Sequence, residues 1–289
     1  MTRPIITLTT DYGLSGHFVG VMKGVILSIM PDVQLVDITH GIPPHDVFEC
    51  AVVIGEAIRF YPARSIHVVV VDPGVGTSRR PLLAEAGGQF FIAPDNGVLS
   101  MVLEKNPAAR VRQITTDQYF LKPVSATFHG RDIFSPVAAW LARTGDASNF
   151  GEPISDYFRW PVPNPVRTGS RVAGTILRVD HFGNLLTNFT PENMPEVFSD
   201  AISFRIVMGA GNITRKVNTF AEAAEGEPVI LLGSSGYFEI VVNRGSAARL
   251  LNARRGAEVT VELGITPDSD DPKRASANQS GRNVPGVPK

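Results

Sequence analysis

Residues Ile66–Val71 read Ile-His-Val-Val-Val-Val and run directly into Asp72-Pro73-Gly74. A short apolar run without polar alternation has no face for water. It predicts a strand covered on both sides, as in a parallel sheet flanked by helices. The preceding sequence agrees. Ile5–Thr9 is a β-branched run ending at Asp11-Tyr12-Gly13, a strand followed by a turn. Phe18, Val21, Met22, Val25 and Ile29 recur at helical spacing over residues 16–30, with Ser15 placed to cap that helix. Pro31-Asp32 stops it, Val33–Thr39 reads as the next strand, and Asp46 with Glu49 forms a capping box for a helix reaching about Phe60. Strand, helix, strand, helix, strand predicts a largely parallel sheet covered by helices, an α/β domain.

Beyond Val71 two short strands fit Leu82–Glu85 and Gln89–Ile92, and a helix fits Asp132–Ala142. Three prolines within Trp160–Pro165 then favour an extended, stiff connector. Strand-like runs follow at Arg171–Val179, Ile202–Val207, Val229–Leu232, Phe238–Val242 and Glu258–Leu263, separated by Gly-rich turns. The expected organisation is an α/β domain over residues 1–160, a Pro-rich linker over 161–170 and a small all-β, barrel-like domain over 171–265. Residues 266–289, with alanines and valines as their only apolar side chains, are expected to be a disordered tail.

With 43% hydrophobic residues in 289, the chain can bury a sizeable core. A formal net charge of -1 offers no basic footprint for nucleic acid and no polycationic patch for a membrane surface. Cys50 is the only cysteine, which excludes an internal disulfide and a thiolate metal cluster. The N-terminus reads as a first strand, not a signal peptide, and no apolar run is long enough to span a bilayer. A cytoplasmic protein is expected.

In open parallel sheets ligands bind at the carboxyl ends of the strands. Three such ends carry polar chemistry. Asp11 follows the first strand; its carboxylate suits a ribose diol, and equally suits capping of the next helix. The loop Asp72-Pro-Gly-Val-Gly-Thr-Ser-Arg79-Arg80 lacks the Gly-Lys-Ser/Thr of a phosphate loop and the third glycine of a dinucleotide fingerprint. Its glycines permit backbone angles that fold Arg79 back towards Asp72, as a functional pair or as an ordinary surface ion pair. His129, within Thr127-Phe128-His129-Gly130-Arg131-Asp132, stands at a helix entrance, where the local dipole disfavours its charged form. A neutral base or a structural histidine both fit. In the β region, Asp180-His181-Phe182-Gly183-Asn184 combines a carboxylate, an aromatic face and an amide, the last two suited to stacking on and reading a purine. A β-turn with a core phenylalanine fits as well. Ser234-Ser235-Gly236-Tyr237 reads as a polar turn or a plain hairpin before a strand ending at Asn243.

These segments, with Ala-Pro-Asp95-Asn96-Gly97, occur in one order, and in that order the chain resembles the S-adenosyl-L-methionine (SAM) hydroxide adenosyltransferases from roughly Arg3 to Leu263. That family is related to fluorinating and chlorinating enzymes acting on the same compound. The resemblance implies a homotrimer, with each site between the α/β domain of one subunit and the β-barrel of its neighbour. It implies that Asp11 holds the ribose hydroxyls, that Phe182, Phe220 and Asn184 surround or read the adenine with Asn243 nearby, and that Asp180 and Ser234 grip the methionine end. Phe128 and Tyr237 are further expected substrate contacts. Ser235 stands where the halogenating relatives carry Arg, and His45 where they carry Trp. Asp72, Arg79 and His129 match the trio that separates the hydrolases from the halogenases.

The implied reaction is in-line attack of a water on ribose C5′, with the methionine thioether leaving from a sulfonium that is already activated. No general acid, metal or cofactor is expected; SAM is the substrate. A halogenase making 5′-halo-adenosine, a non-catalytic SAM or adenosine sensor, and a metallohydrolase using His17, His40, His45 or His129 are the alternatives. The last lacks a His-x-x-x-His helix.

Overall fold

The computed structural model of the chain describes residues 3–198, 202–209 and 211–265. The tail expected over residues 266–289 lies outside them. By internal contacts the chain divides into two units, Met1–Val162 and Pro163–Lys289.

The first unit carries strands β1 (Ile5–Thr10), β2 (Gln34–Thr39), β3 (Ile66–Val70), β4 (Pro81–Ala86), β5 (Gln89–Pro94), β6 (Arg110–Gln113) and β7 (Pro153–Ile154). They form one sheet in the order β2-β1-β3-β5-β4-β6-β7. Pairings β1/β2, β1/β3 and β3/β5 are parallel, and the remaining three are antiparallel. All five residues of β3 are buried, as expected for a strand covered on both faces. Helices α1 (Phe18–Ile29), α2 (Val47–Ala57), α3 (Ser100–Glu104) and α4 (Ser135–Thr144) supply the covers. Ile6, Leu8 and Val68 pack with residues of α1 and α4. Val69, Val71 and Phe91 pack with α2 and α3 in a separate cluster. Each helix layer thus buries alternate residues of the same strands, the period-2 geometry of a pleated sheet.

The chain runs from β1 to β2 on one side, then crosses back past β1 to β3. The order therefore reverses between β1 and β3, the topological switch point where doubly wound sheets open a crevice. Asp11 and Asp72 follow these two strands.

Two helix starts differ from expectation. Helix α1 begins at Phe18 with His17 at its cap and no side-chain capping bond, so Ser15 is not the cap. The loop after β1 is instead tied sideways to the loop after β2 by Gly13 N–H donating to His40 O at 2.9 Å. The helix expected from Asp132 opens with a π-helical turn over Gly130–Phe134, and α4 follows. Pro136 has no N–H for the Asp132 carbonyl four residues back, and Leu121 N–H donates to that carbonyl at 2.9 Å. Asp46 does cap α2: its Oδ1 accepts from Glu49 N–H at 3.0 Å, while its own N–H donates to Pro43 O at 3.0 Å.

The second unit contains β8 (Val166–Thr168), β9 (Arg171–Val179), β10 (Leu185–Thr187), β11 (Phe204–Met208), β12 (Gly211–Ile213), β13 (Pro228–Leu232), β14 (Phe238–Val242) and β15 (Glu258–Leu263), with a short helix α5 at Pro195–Phe198 and another, α6, at Ala247–Leu250. The strands pair antiparallel in the order β12-β11-β15-β9-β10-β14-β13, with β8 on β9. A bridge between Lys216 and Ile230 joins the segment after β12 to β13, so the sheet nearly closes into a barrel. Val172, Ile176, Phe189, Ile206, Phe238 and Val261 fill its interior. Among the described residues, no helix is long and apolar enough to cross a membrane.

Candidate active site

In the first unit the polar side chains gather at the β1/β3 switch point. The loop after β3 turns through Val75 N–H to Asp72 O at 3.2 Å and Thr77 Oγ1–H to Gly74 O at 2.6 Å. Gly76 makes the turn possible: its φ is 78°, and an added Cβ would sit 2.2 Å from the carbonyl oxygen of Ala126. The turn brings Arg79 back onto Asp72. Arg79 Nε donates to both carboxylate oxygens, at 2.9 and 3.0 Å, and Nη2 bonds to Oδ2 as well. Both side chains are buried, Arg79 to 9% exposure and Asp72 to 5%. The guanidinium also lies over the Phe134 ring, 5.2 Å from its centroid.

The same Nη2 lies 2.8 Å from Nδ1 of His129. A guanidinium only donates, so Nδ1 accepts and the neutral ring carries its proton on Nε2. Burial holds the His129 pKa below the ordinary imidazole value, and the Arg79 charge adds to the effect. Burial is the leading cause, where the sequence suggested a helix dipole. Arg79 Nη1 is buried without a hydrogen-bond partner.

Asp11 is held by one oxygen, Oδ2, which accepts from His45 N–H at 2.9 Å. His45 adopts a left-handed backbone, φ 66°, to present that N–H. Tyr12 packs against Phe18 and edge-on against Phe128, with ring centroids 5.5 and 5.9 Å away. Burial, with Asp11 and Asp72 beside it, pushes the Tyr12 hydroxyl well above the usual tyrosine range. Phe128 is only 7% exposed and belongs to the core beneath the site.

Sequence reasoning missed what steadies this end of the sheet. His40, 3% exposed, places Nδ1 2.9 Å from Thr10 Oγ1 and Nε2 3.1 Å from Asp37 Oδ1. Thr10 Oγ1 in turn accepts from Tyr12 N–H at 3.1 Å. Thr10 ends β1 and the buried His40 follows β2, so no local motif marks them.

The second unit has its own cavity, of about 810 Å³, between the β9–β10 loop and the segment joining β14 to α6. Asp180, Phe182, Asn184, Phe220 and Asn243 line it, together with Ser246. Phe182 is 75% exposed and Phe220 45%, unusual for rings this large in a folded domain. Asp180 is engaged by its own loop: Oδ1 accepts from Phe182 N–H at 2.9 Å and Asn184 N–H at 2.8 Å, and Oδ2 from Asn184 Nδ2 at 2.9 Å. That bond turns the Asn184 carbonyl oxygen away from Asp180. Gly183 lets the loop pack onto Ser246, whose Oγ would lie 2.1 Å from an added Cβ. Asn243 spends its amide on Ala223 O at 2.8 Å. Ser234, Ser235 and Tyr237 sit in the turn between β13 and β14, at the opposite end of β14 from Asn243, and do not line this cavity. Arg244 and Arg249 do line it, and no motif in the chain marked either.

Two family models match the chain: the SAM hydroxide adenosyltransferase N-terminal domain over residues 6–151 and the C-terminal domain of the same family over residues 174–260. A protein of Salinispora tropica named (R)-S-adenosyl-L-methionine hydrolase is 36% identical over 90% of this chain and 98% of its own length. A fluorinase of an Actinoplanes species is 29% identical over 90% of this chain and 97% of its own. The crystal structure of an uncharacterized conserved protein from Thermotoga maritima aligns with a TM-score of 0.83 and 36% identity, covering 89% of this chain and 99% of that one.

Proposed function

This chain belongs to the SAM hydroxide adenosyltransferase family, and we propose that it hydrolyses S-adenosyl-L-methionine to adenosine and L-methionine. The reading rests on one observation above the others, the buried Asp72–Arg79 pair with the half-buried His129 against it at the switch point. The leaving thioether departs neutral from a cationic sulfonium, so the enzyme's work is to hold a water behind C5′ in line with the breaking C–S bond. The C–O bond forms as the C–S pair leaves with sulfur, and the attacking water must lose one proton.

The tautomer divides the roles. With Nδ1 accepting from Arg79, His129 offers an Nε2–H donor to the water oxygen, and Asp72 is the acceptor for the water's proton. Arg79 holds the Asp72 carboxylate. Asp11 takes the ribose hydroxyls through the oxygen not bonded to His45. In the second unit Phe182 and Phe220 flank the adenine, and the outward Asn184 oxygen accepts from its amino group. Asp180, with three hydrogen bonds from its own loop, sets Asn184 as well as facing the methionine end. The finer form of the reading is a cytoplasmic homotrimer in which the α/β set of one copy and the β-unit set of another act on one substrate. Ser234 is assigned to the methionine end, and Ser235 and Tyr237 to substrate contact, on the resemblance alone.

The relationship to fluorinases favours a halogenase as the second reading. A carboxylate at Asp72 repels a halide ion and weighs against it. The deciding experiment incubates the purified chain with SAM, with and without chloride, and identifies products by mass spectrometry. Adenosine and methionine in equal amounts, independent of halide, are expected. A 5′-halo-adenosine would move the protein to the halogenases, and intact SAM would leave a binding protein.

A further inference from the structure

The motif Ala93-Pro94-Asp95-Asn96-Gly97 ends β5, the strand next to β3, and opens the loop after it; it has no part in the chemistry above. Its two polar residues act on the immediate chain neighbours of the two ion-paired residues. Asn96 Nδ2 donates to the carbonyl oxygen of Val71 at 2.8 Å, one residue before Asp72. Asp95 accepts from Arg80 Nε at 2.9 Å and Nη2 at 2.7 Å, one residue after Arg79. Asp95 N–H also donates to Arg80 O at 2.9 Å. The glycine-rich turn between Val71 and Arg80 is thus held at both feet by consecutive residues of one neighbouring loop.

That loop is itself clamped. Asp95 Oδ1 accepts from Phe158 N–H at 2.7 Å, and Asn96 O accepts from Trp160 Nε1–H at 3.1 Å. Trp160 N–H donates to Ser100 Oγ at 2.8 Å, and Arg80 Nη1 and Nη2 reach Asp156 at 2.9 Å each. The indole lies directly on Gly97, where an added Cβ would come within 2.3 Å of the ring; φ at Gly97 is 89°. The Asn96 side chain is fully committed, its Oδ1 accepting from Val98 N–H at 3.2 Å. The set joins backbone groups and side chains of the two loops and the Asp156–Trp160 segment, and none of these bonds involves the side chains of Asp72, Arg79 or His129.

We propose that Asp95 and Asn96 are positioning residues for the Asp72–Arg79 pair, and that the Asp156–Trp160 segment is the strap that keeps them in place. A tight turn anchored at one foot only can still pivot, and a shift of about 1 Å in a catalytic group costs on the order of 10²-fold in rate. The buried side chains of Asp72 and Arg79 have little freedom of their own, so the register of their backbone decides where they stand. The proposal rests on the SAM-hydrolase reading for its kinetic test, but not for its spectroscopic one.

The test compares the full chain with Asn96→Ala, Asp95→Asn and Trp160→Phe, the last removing the Nε1–H donor and part of the ring area while keeping an aromatic side chain at that position. Expected are kcat values lower by about 10- to 100-fold for the first two and a few-fold for Trp160→Phe. KM for SAM should stay within about twofold, because substrate-recognition groups are untouched. Nitrogen-15 spectra of His129 should pass from the single Nε2–H tautomer towards an average of both. An unchanged kcat and unchanged His129 signals, with only the melting temperature lowered, would overturn the proposal. So would a rise in KM at constant kcat. Should Asn96→Ala fail to fold, Trp160→Phe carries the same two readouts. If the parent chain leaves SAM intact, the hydrolase reading falls, and the His129 spectra alone still decide the positioning role.

Discussion

Arg79 approaches His129 through Nη2 at 2.8 Å from Nδ1, so the imidazole faces a permanent cation on the nitrogen that would otherwise take up a proton. Protonation of His129 is opposed twice, by burial and by that charge, and its pKa is lowered from 6.5. If the neutral ring is the working form, kcat should hold level as pH falls through 6.5 and drop only at more acid values. A kcat profile already half-lost at pH 6.5 would mean that an unperturbed group controls turnover.

Removing either partner of the water should be severe. Asp72→Ala and His129→Ala should each lower kcat by about 10²- to 10⁴-fold, the range for a lost acid–base group. The double variant should cost much less than the product of the single losses, because the two act as a unit. Steady-state kinetics at saturating SAM measures both. Near-normal turnover in both single variants would make the trio structural.

The exposed Phe182 ring gives a different signature. Phe182→Ala removes a face on which a purine stacks, worth about 1–3 kcal/mol by analogy with base–aromatic contacts. KM for SAM should rise by about 5- to 150-fold with little change in melting temperature, since a ring 75% exposed contributes little to the core. Titration with adenosine should show the same loss. Equal affinities would remove Phe182 from the site.

His67 predicts how the fold itself answers to acid. It is fully buried on β3, bonded to Thr7 Oγ1 at 2.8 Å and stacked on Phe91 at 4.9 Å. Burial lowers its pKa to about 4 from 6.5. Below pH 6.5 the unfolded chain binds a proton at this position that the native chain refuses, so stability is lost as pH falls from 6.5 towards 4. At about 1.4 kcal/mol for each unit of pKa difference, the loss between pH 7.5 and pH 5 is about 2 kcal/mol. Denaturant unfolding at those two values should show it. In His67→Asn, less stable throughout, the gap between the two pH values should shrink by about that amount.

Much of the first unit was legible in the chain. The apolar run at Ile66–Val71 has no water-facing side and could only be a covered strand, and Asp46 caps its helix through Glu49 N–H because capping is a three-residue affair. The return of Arg79 to Asp72 was legible too, since it depends on glycines between residues seven apart. Short strands such as β7 and β10 were not, because two or three residues carry no periodicity. Neither was the π-helical turn at Gly130, where the Asp132 carbonyl accepts from the distant Leu121 N–H.

The local chemistry of each loop was therefore a property of the sequence: which side chains could pair, turn or cap within a few residues. What only the tertiary structure decided was which distant partners meet. His129 comes to Arg79 across fifty residues, His40 to Thr10 across thirty, and Trp160 settles on Gly97 across more than sixty. Thr10 and His40 meet because the parallel strands β1 and β2 bring their carboxyl ends together, and His129 and Trp160 arrive on later segments that pack against the loops there. Sequence distance says nothing of that neighbourhood until the strand order is known. The tautomer of His129 follows from the neighbourhood in turn, because a ring nitrogen beside a guanidinium can only accept.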